Sequence, residues 1–89
     1  MKKQLSDLRK QIDEIDVLIV SLLAKRMEIV AKVGILKKQN NVPPLDPARW
    51  QQVLISKMEK AKSLGLDPGV VKKIYNIIHE EALKIENSL

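Results

Sequence analysis

Cysteine is absent from the 89 residues, which excludes disulfide staples, thiolate metal sites and a cysteine nucleophile. A single histidine cannot build a multi-histidine metal site within one chain, so no metal is expected, and no other cofactor. Phenylalanine is absent too, and one Trp and one Tyr leave little to stack on exposed bases, which argues against nucleic acid as a partner. The longest apolar run, Val17 to Ala24, is interrupted by Ser21 and is too short to span a bilayer. The opening Met-Lys-Lys-Gln-Leu-Ser-Asp lacks the apolar stretch and small-residue cleavage site of a signal peptide. A cytoplasmic protein without a membrane partner is the expectation.

What is present is helix. Leu5, Leu8, Ile12, Ile15, Ile19, Leu22, Ile29, Val33 and Leu36 recur at alternating steps of three and four, a heptad seam held over roughly nine turns. The seam predicts a first helix from about residue 6 to about 39, ending before Asn40-Asn41-Val42-Pro43-Pro44. Asp46-Pro47 and Asp67-Pro68 are start signals: aspartate caps a helix N-terminus, and proline suits the first helical position. They predict a second helix over about 47–64, closed by Gly65, and a third over about 68–88. Trp50, Val53, Leu54, Met58 and Ala61 supply the apolar face of the second, and Val70, Val71, Ile74, Ile77, Ile78, Leu83 and Ile85 that of the third. No strand-like alternation occurs.

The fold class is therefore all-α, one domain over residues 1–89 with one long and two shorter helices. At 1.5 Å per residue the first helix is about 50 Å long, and the others are little more than half that. Folded back within one chain they could not cover its seam. The uncovered stretch calls for a second subunit, and an intertwined homodimeric bundle is the expected assembly.

The formal charge of +5 points to an anionic partner without naming it. Arg26 sits where the seam calls for an apolar residue. It either snorkels or pairs with a carboxylate such as Glu80 or Glu81, or it binds an anion. Lys37 lies about 20° round the helix from Arg26 and about 16 Å along it, so the two heads could converge on one small anion. Arg49 falls in the first turn of the second helix, where the dipole disfavours a cation, so an ion pair with Asp46 or a bound anion is needed. Asp46 itself is accounted for as an N-cap. Ala82 and Glu86 share a face of the third helix, and His79 reads as a half-buried polar side chain. There is no nucleophile–base pair, no glycine-rich phosphate loop and no paired-carboxylate motif. An enzyme of this composition would work by binding and electrostatics.

Leu8-Arg9-Lys10-Gln11-Ile12-Asp13-Glu14-Ile15-Asp16, Leu22-Leu23-Ala24-Lys25-Arg26 and Val33-Gly34-Ile35-Leu36-Lys37 together resemble the first helix of all-helical chorismate mutases. Val42-Pro43-Pro44-Leu45-Asp46-Pro47-Ala48-Arg49 is similar to their loop between helices one and two. The resemblance implies that Arg26 and Arg9 bind the two carboxylates of chorismate, with Arg9 contributed by the other subunit of a homodimer. Arg9 lies about 25 Å from Arg26 along the same helix, too far for one pocket. It further implies that Lys37 contacts a carboxylate and the ether oxygen of the breaking bond. Asp46 would help hold the ring hydroxyl through its backbone, and Arg49 would support the carboxylate end. Glu86 stands where many members have glutamine; facing the ether oxygen it would have to act protonated, so activity should fall as pH rises.

Two positions depart from the family pattern. Trp50 replaces a glutamate that bonds the ring hydroxyl in many members, and Ala82 replaces a serine. A tryptophan after the loop arginine resembles mutase domains fused to 3-deoxy-7-phosphoheptulonate synthase. Isochorismate-pyruvate lyases share this fold and lack the same glutamate, so a lyase is the alternative to the mutase. A non-enzymatic coiled-coil interaction module is a further one, although lysines interleaved with acids on all three helices read as a solvated surface.

Overall fold

The computed structural model describes all residues, 1–89, and contains three helices and no strand. Helix α1 spans Lys2–Gln39, α2 Pro47–Ser63 and α3 Pro68–Asn87. The start of α1 lies four residues before the expected one. Nothing in Lys2-Lys3-Gln4-Leu5 opposes a helix, Leu5 continues the seam, and Ser6 is helical instead of capping. The other two helices begin at capping aspartates. Asp46 Oδ1 accepts the Arg49 N–H at 3.1 Å, and Asp67 Oδ1 accepts the Gly69 N–H at 2.8 Å.

Both interhelical turns begin with the same C-terminal device. Asn41 takes a left-handed φ of 57°, and the Val42 N–H reaches back to the Lys37 carbonyl at 2.8 Å. Gly65, at φ 77°, lets the Leu66 N–H reach the Ala61 carbonyl at 2.9 Å. These are Schellman closures, which satisfy carbonyls that a helix end leaves free. The first of them turns the chain directly beside Lys37, and so aims the following loop at that side chain.

α1 and α2 each pack on α3 and not on one another. α3 runs parallel to the C-terminal part of α1: Ile74 and Tyr75 share a groove with Leu22 and Leu23, and Glu86 and Leu89 meet Gly34. α2 runs the opposite way. The chain buries little on its own, for Gly34, Leu54, Ala61 and Ala82 are its four buried residues. Every residue from Met1 to Leu22 is exposed, including the seam positions Leu8, Ile12, Ile15, Ile19 and Leu22, each more than half accessible.

The dimensions agree, with extents of 59 × 24 × 15 Å whose long axis is that of α1. The radius of gyration is 16.7 Å, against about 12 Å for a compact domain of this length. The accessible surface is 7337 Å². A compact monomer of this mass exposes about 5,300 Å², so roughly 2,000 Å² is in excess. No helix is long and apolar enough to cross a membrane.

Candidate active site

α3 forms the floor of a cavity of about 130 Å³ walled by α1 and α2, with the loop between them at one end. From α1 come Arg26, Val30 and Lys37, which helical spacing places on one stripe. The loop and α2 supply Pro44, Asp46, Arg49, Trp50 and Val53. α3 supplies His79, Ala82 and Glu86, again a single stripe. Every site position expected from the sequence is here except Arg9, which lies on the exposed N-terminal part of α1 beside Lys2, Ser6 and Asp13.

Lys37 is held at two points. Its ammonium donates to the Pro44 carbonyl at 2.6 Å and lies 2.8 Å from Glu86 Oε1. The second contact is a charge contact outside hydrogen-bond angles, so Oε1 receives no hydrogen bond although it is buried. This is the one ion pair in the chain. It joins α1 to α3 while the Pro44 bond joins α1 to the loop.

Arg26 has no such partner. Its Nη1 is buried and makes no hydrogen bond, and neither Glu80 nor Glu81 forms an ion pair with it. Arg49 is equally unpaired, because the Asp46 carboxylate caps α2 through the Arg49 backbone N–H and forms no bridge to its guanidinium. The cavity therefore gathers three cations and two carboxylates, and both carboxylates are already engaged. Arg26, with a buried and unsatisfied Nη1, and Arg49, which is exposed where it lines the cavity, have no carboxylate partner, an arrangement that suits an anion.

Trp50 and His79 face each other across the cavity as a parallel stack, ring centroids 3.9 Å apart and planes 8° from parallel. Burial holds the His79 imidazole below its ordinary value of 6.5, and the positive charges of Arg26 and Lys37 push the same way against Glu86 and Glu80. The sequence places Trp50 on the apolar face of the second helix, in the position of a site glutamate, and makes His79 a half-buried polar side chain, but it does not show that the two stack. The signal was available in the spacing, since His79 lies three residues before Ala82 and seven before Glu86. The Pro44 carbonyl has no signal in sequence at all.

A larger groove of about 430 Å³ runs between Ile19, Leu22 and Leu23 of α1 and Ile74, Ile77 and Ile78 of α3. Arg26 and the Tyr75 hydroxyl aside, nothing polar lines it. It lacks converging polar groups and belongs to the exposed seam.

The family model described as chorismate mutase type II matches residues 8–87. A chorismate mutase from Methanocaldococcus jannaschii is 33% identical over 94% of this chain and 87% of that protein. A T-protein from Enterobacter agglomerans is 36% identical over 98% of the chain, but the chain spans 23% of that protein's length. A 4-amino-4-deoxychorismate mutase from Streptomyces pristinaespiralis is 28% identical over 93% of the chain and 64% of that protein.

Because His79 prefers the neutral form in the folded chain, the stability it contributes is present above pH 6.5 and is lost as pH falls through its lowered folded value. Thermal melts between pH 7.5 and 5 should show this loss, and His79→Gln should remove it. Since His79 is the chain's one histidine, a slope unchanged in the variant would refute the assignment.

Proposed function

Because the chain belongs to the chorismate mutase type II family, we propose that it catalyses the rearrangement of chorismate to prephenate, a step toward phenylalanine and tyrosine. The observation that carries this reading is Arg26 Nη1, desolvated and without an acceptor in a cavity that also holds Lys37 and Arg49. An unsatisfied buried donor costs about 1–3 kcal/mol, and more when charged. A carboxylate on the guest removes that cost.

The reaction breaks a carbon–oxygen bond and forms a carbon–carbon bond within one molecule, so no nucleophile is required. The substrate must fold into a compact chair-like conformer that its two carboxylates resist in water. Arg26 takes one carboxylate, Arg49 supports that end, and Arg9 of the partner subunit takes the other, so that binding enforces the reactive geometry. The backbone of Asp46 helps hold the ring hydroxyl. Lys37 donates to the ether oxygen as charge grows there, and the Glu86 carboxyl group faces it from the opposite side. Ala82 adds only surface to this wall.

The partner subunit is part of the proposal. The exposed seam and the excess surface of roughly 2,000 Å² fall in the range that permanent homodimers bury. A cavity of about 130 Å³ is small beside the about 300–1,000 Å³ usual for ligand sites, which supports a further wall brought by a second chain. In a two-fold dimer the N-terminal part of one α1 would lie along the other chain's site and deliver Arg9 there.

Trp50 favours keeping a second reading. It places an indole where a glutamate would bond the ring hydroxyl, so the ring substituent is less tightly specified. Isochorismate and the 4-amino analogue of chorismate are therefore the competing substrates. Incubation with each of the three, with products identified by NMR, should give prephenate from chorismate. Pyruvate release from isochorismate alone would replace the mutase by a lyase.

Lys37→Ala should lower kcat by about 10²–10³-fold, the usual loss for a preorganised donor to a developing oxyanion, with the helical signal intact. Glu86→Gln, which keeps the shape and adds an amide donor, should keep or raise kcat, whereas Glu86→Ala should lower it. An unchanged kcat in Glu86→Ala would sink the role given to Glu86. Arg9→Ala and Arg26→Ala should each be inactive alone. Mixed and refolded in equal amounts, they should regain about a quarter of wild-type activity, because half the dimers are mixed and each of those has one intact site. No recovery on mixing would place both arginines in the same chain's site or exclude the dimer.

A further inference from the structure

Glycine is the poorest helix former short of proline, so Gly34, inside α1 and its one buried residue, needs a packing reason. The surroundings supply it. A Cβ at position 34 would lie 2.6 Å from Leu89 Cδ1, 3.1 Å from Glu86 Cγ and 3.2 Å from Glu86 Cα. The tip of Leu89 can rotate aside. The Glu86 Cα is backbone and can yield only if the last turn of α3 moves away from α1. Gly34 also stands one turn before Lys37, whose ammonium is fixed to the Pro44 carbonyl and so cannot follow Glu86 outward without losing that bond.

We infer that Gly34 is a positioning residue for the reaction: having no side chain, it lets α3 approach α1 closely enough to set the Glu86 carboxyl opposite Lys37. The inference rests on the mutase reading for its catalytic consequence, but not for its geometry. Gly34 touches neither of the reacting ends. It acts through the placement of Glu86 against α1: a Cβ 3.2 Å from the Glu86 backbone demands a shift of a few tenths of an ångström, where a misplacement of about 1 Å can cost up to about 100-fold in rate.

The test uses the full chain with Gly34→Ala, Leu89→Ala and the double variant G34A/L89A. Each is measured for kcat and KM on chorismate, with kcat taken per folded site as counted by circular dichroism at the assay temperature, and each is crystallised. In G34A the Lys37–Glu86 separation should lengthen by a few tenths of an ångström beyond 2.8 Å, kcat should fall at least about threefold, and KM should stay within about twofold. L89A should keep wild-type kcat. G34A/L89A should not recover it, because the obstructing atom is the Glu86 backbone. Retained kcat in G34A, or full recovery in the double variant, overturns the inference. A wild-type chain inert toward chorismate would overturn the mutase reading instead, and the crystallographic separation in G34A would still decide the geometric claim.

Discussion

A guanidinium nitrogen that has lost its water without finding a carboxylate is the constraint to which the rest of this chain answers. Arg26 interrupts an apolar seam, and every acid within the cavity is engaged elsewhere: Glu86 with Lys37, and Asp46 with the first turn of α2. A protein built for stability alone would have a carboxylate or an apolar residue here, since a buried donor without an acceptor costs a fold about 1–3 kcal/mol. The fold keeps it by arranging three helices so that their polar stripes meet at one place. There Lys37 finds a carboxylate and Arg26 does not.

The second constraint is geometric. α1 is 38 residues long, while α2 and α3 are 17 and 20. α3 lies along the C-terminal part of α1, leaving residues 1–22 exposed. The chain thus separates into a portion that builds a cavity and a portion that reaches beyond it. Arg9 belongs to the reaching portion. That division accounts for Arg9 lying far from the cavity of its own chain, and for so few residues being buried.

Much of this is legible in the sequence. The seam from Leu5 to Leu36 dictated a long helix, because a step pattern of three and four has no other regular solution. The Asp-Pro pairs marked the starts of α2 and α3, because cap and N1 chemistry are local. Arg26 was visible as a break in a pattern, and Lys37, Asp46, Arg49, Ala82 and Glu86 through the resemblance. The contacts that sequence could not show depend on two elements at once. The stacking of Trp50 on His79 joins α2 to α3, and the grip of Lys37 on the Pro44 carbonyl uses an acceptor every residue possesses. Nothing in the sequence marks Gly34 as a packing position, and only the nearness of the Glu86 backbone gives it a purpose. The early start of α1 at Lys2 shows the reverse case, a serine that could cap and does not.

The contact between Lys37 and Glu86 carries a consequence for selectivity. An anion arriving at Lys37 competes with a carboxylate already 2.8 Å away, so part of its own attraction is spent undoing that embrace. A guest that offers a carboxylate to Arg26 as well offsets more of that cost than a monoanion can, so the pair tilts so cationic a cleft toward doubly charged anions.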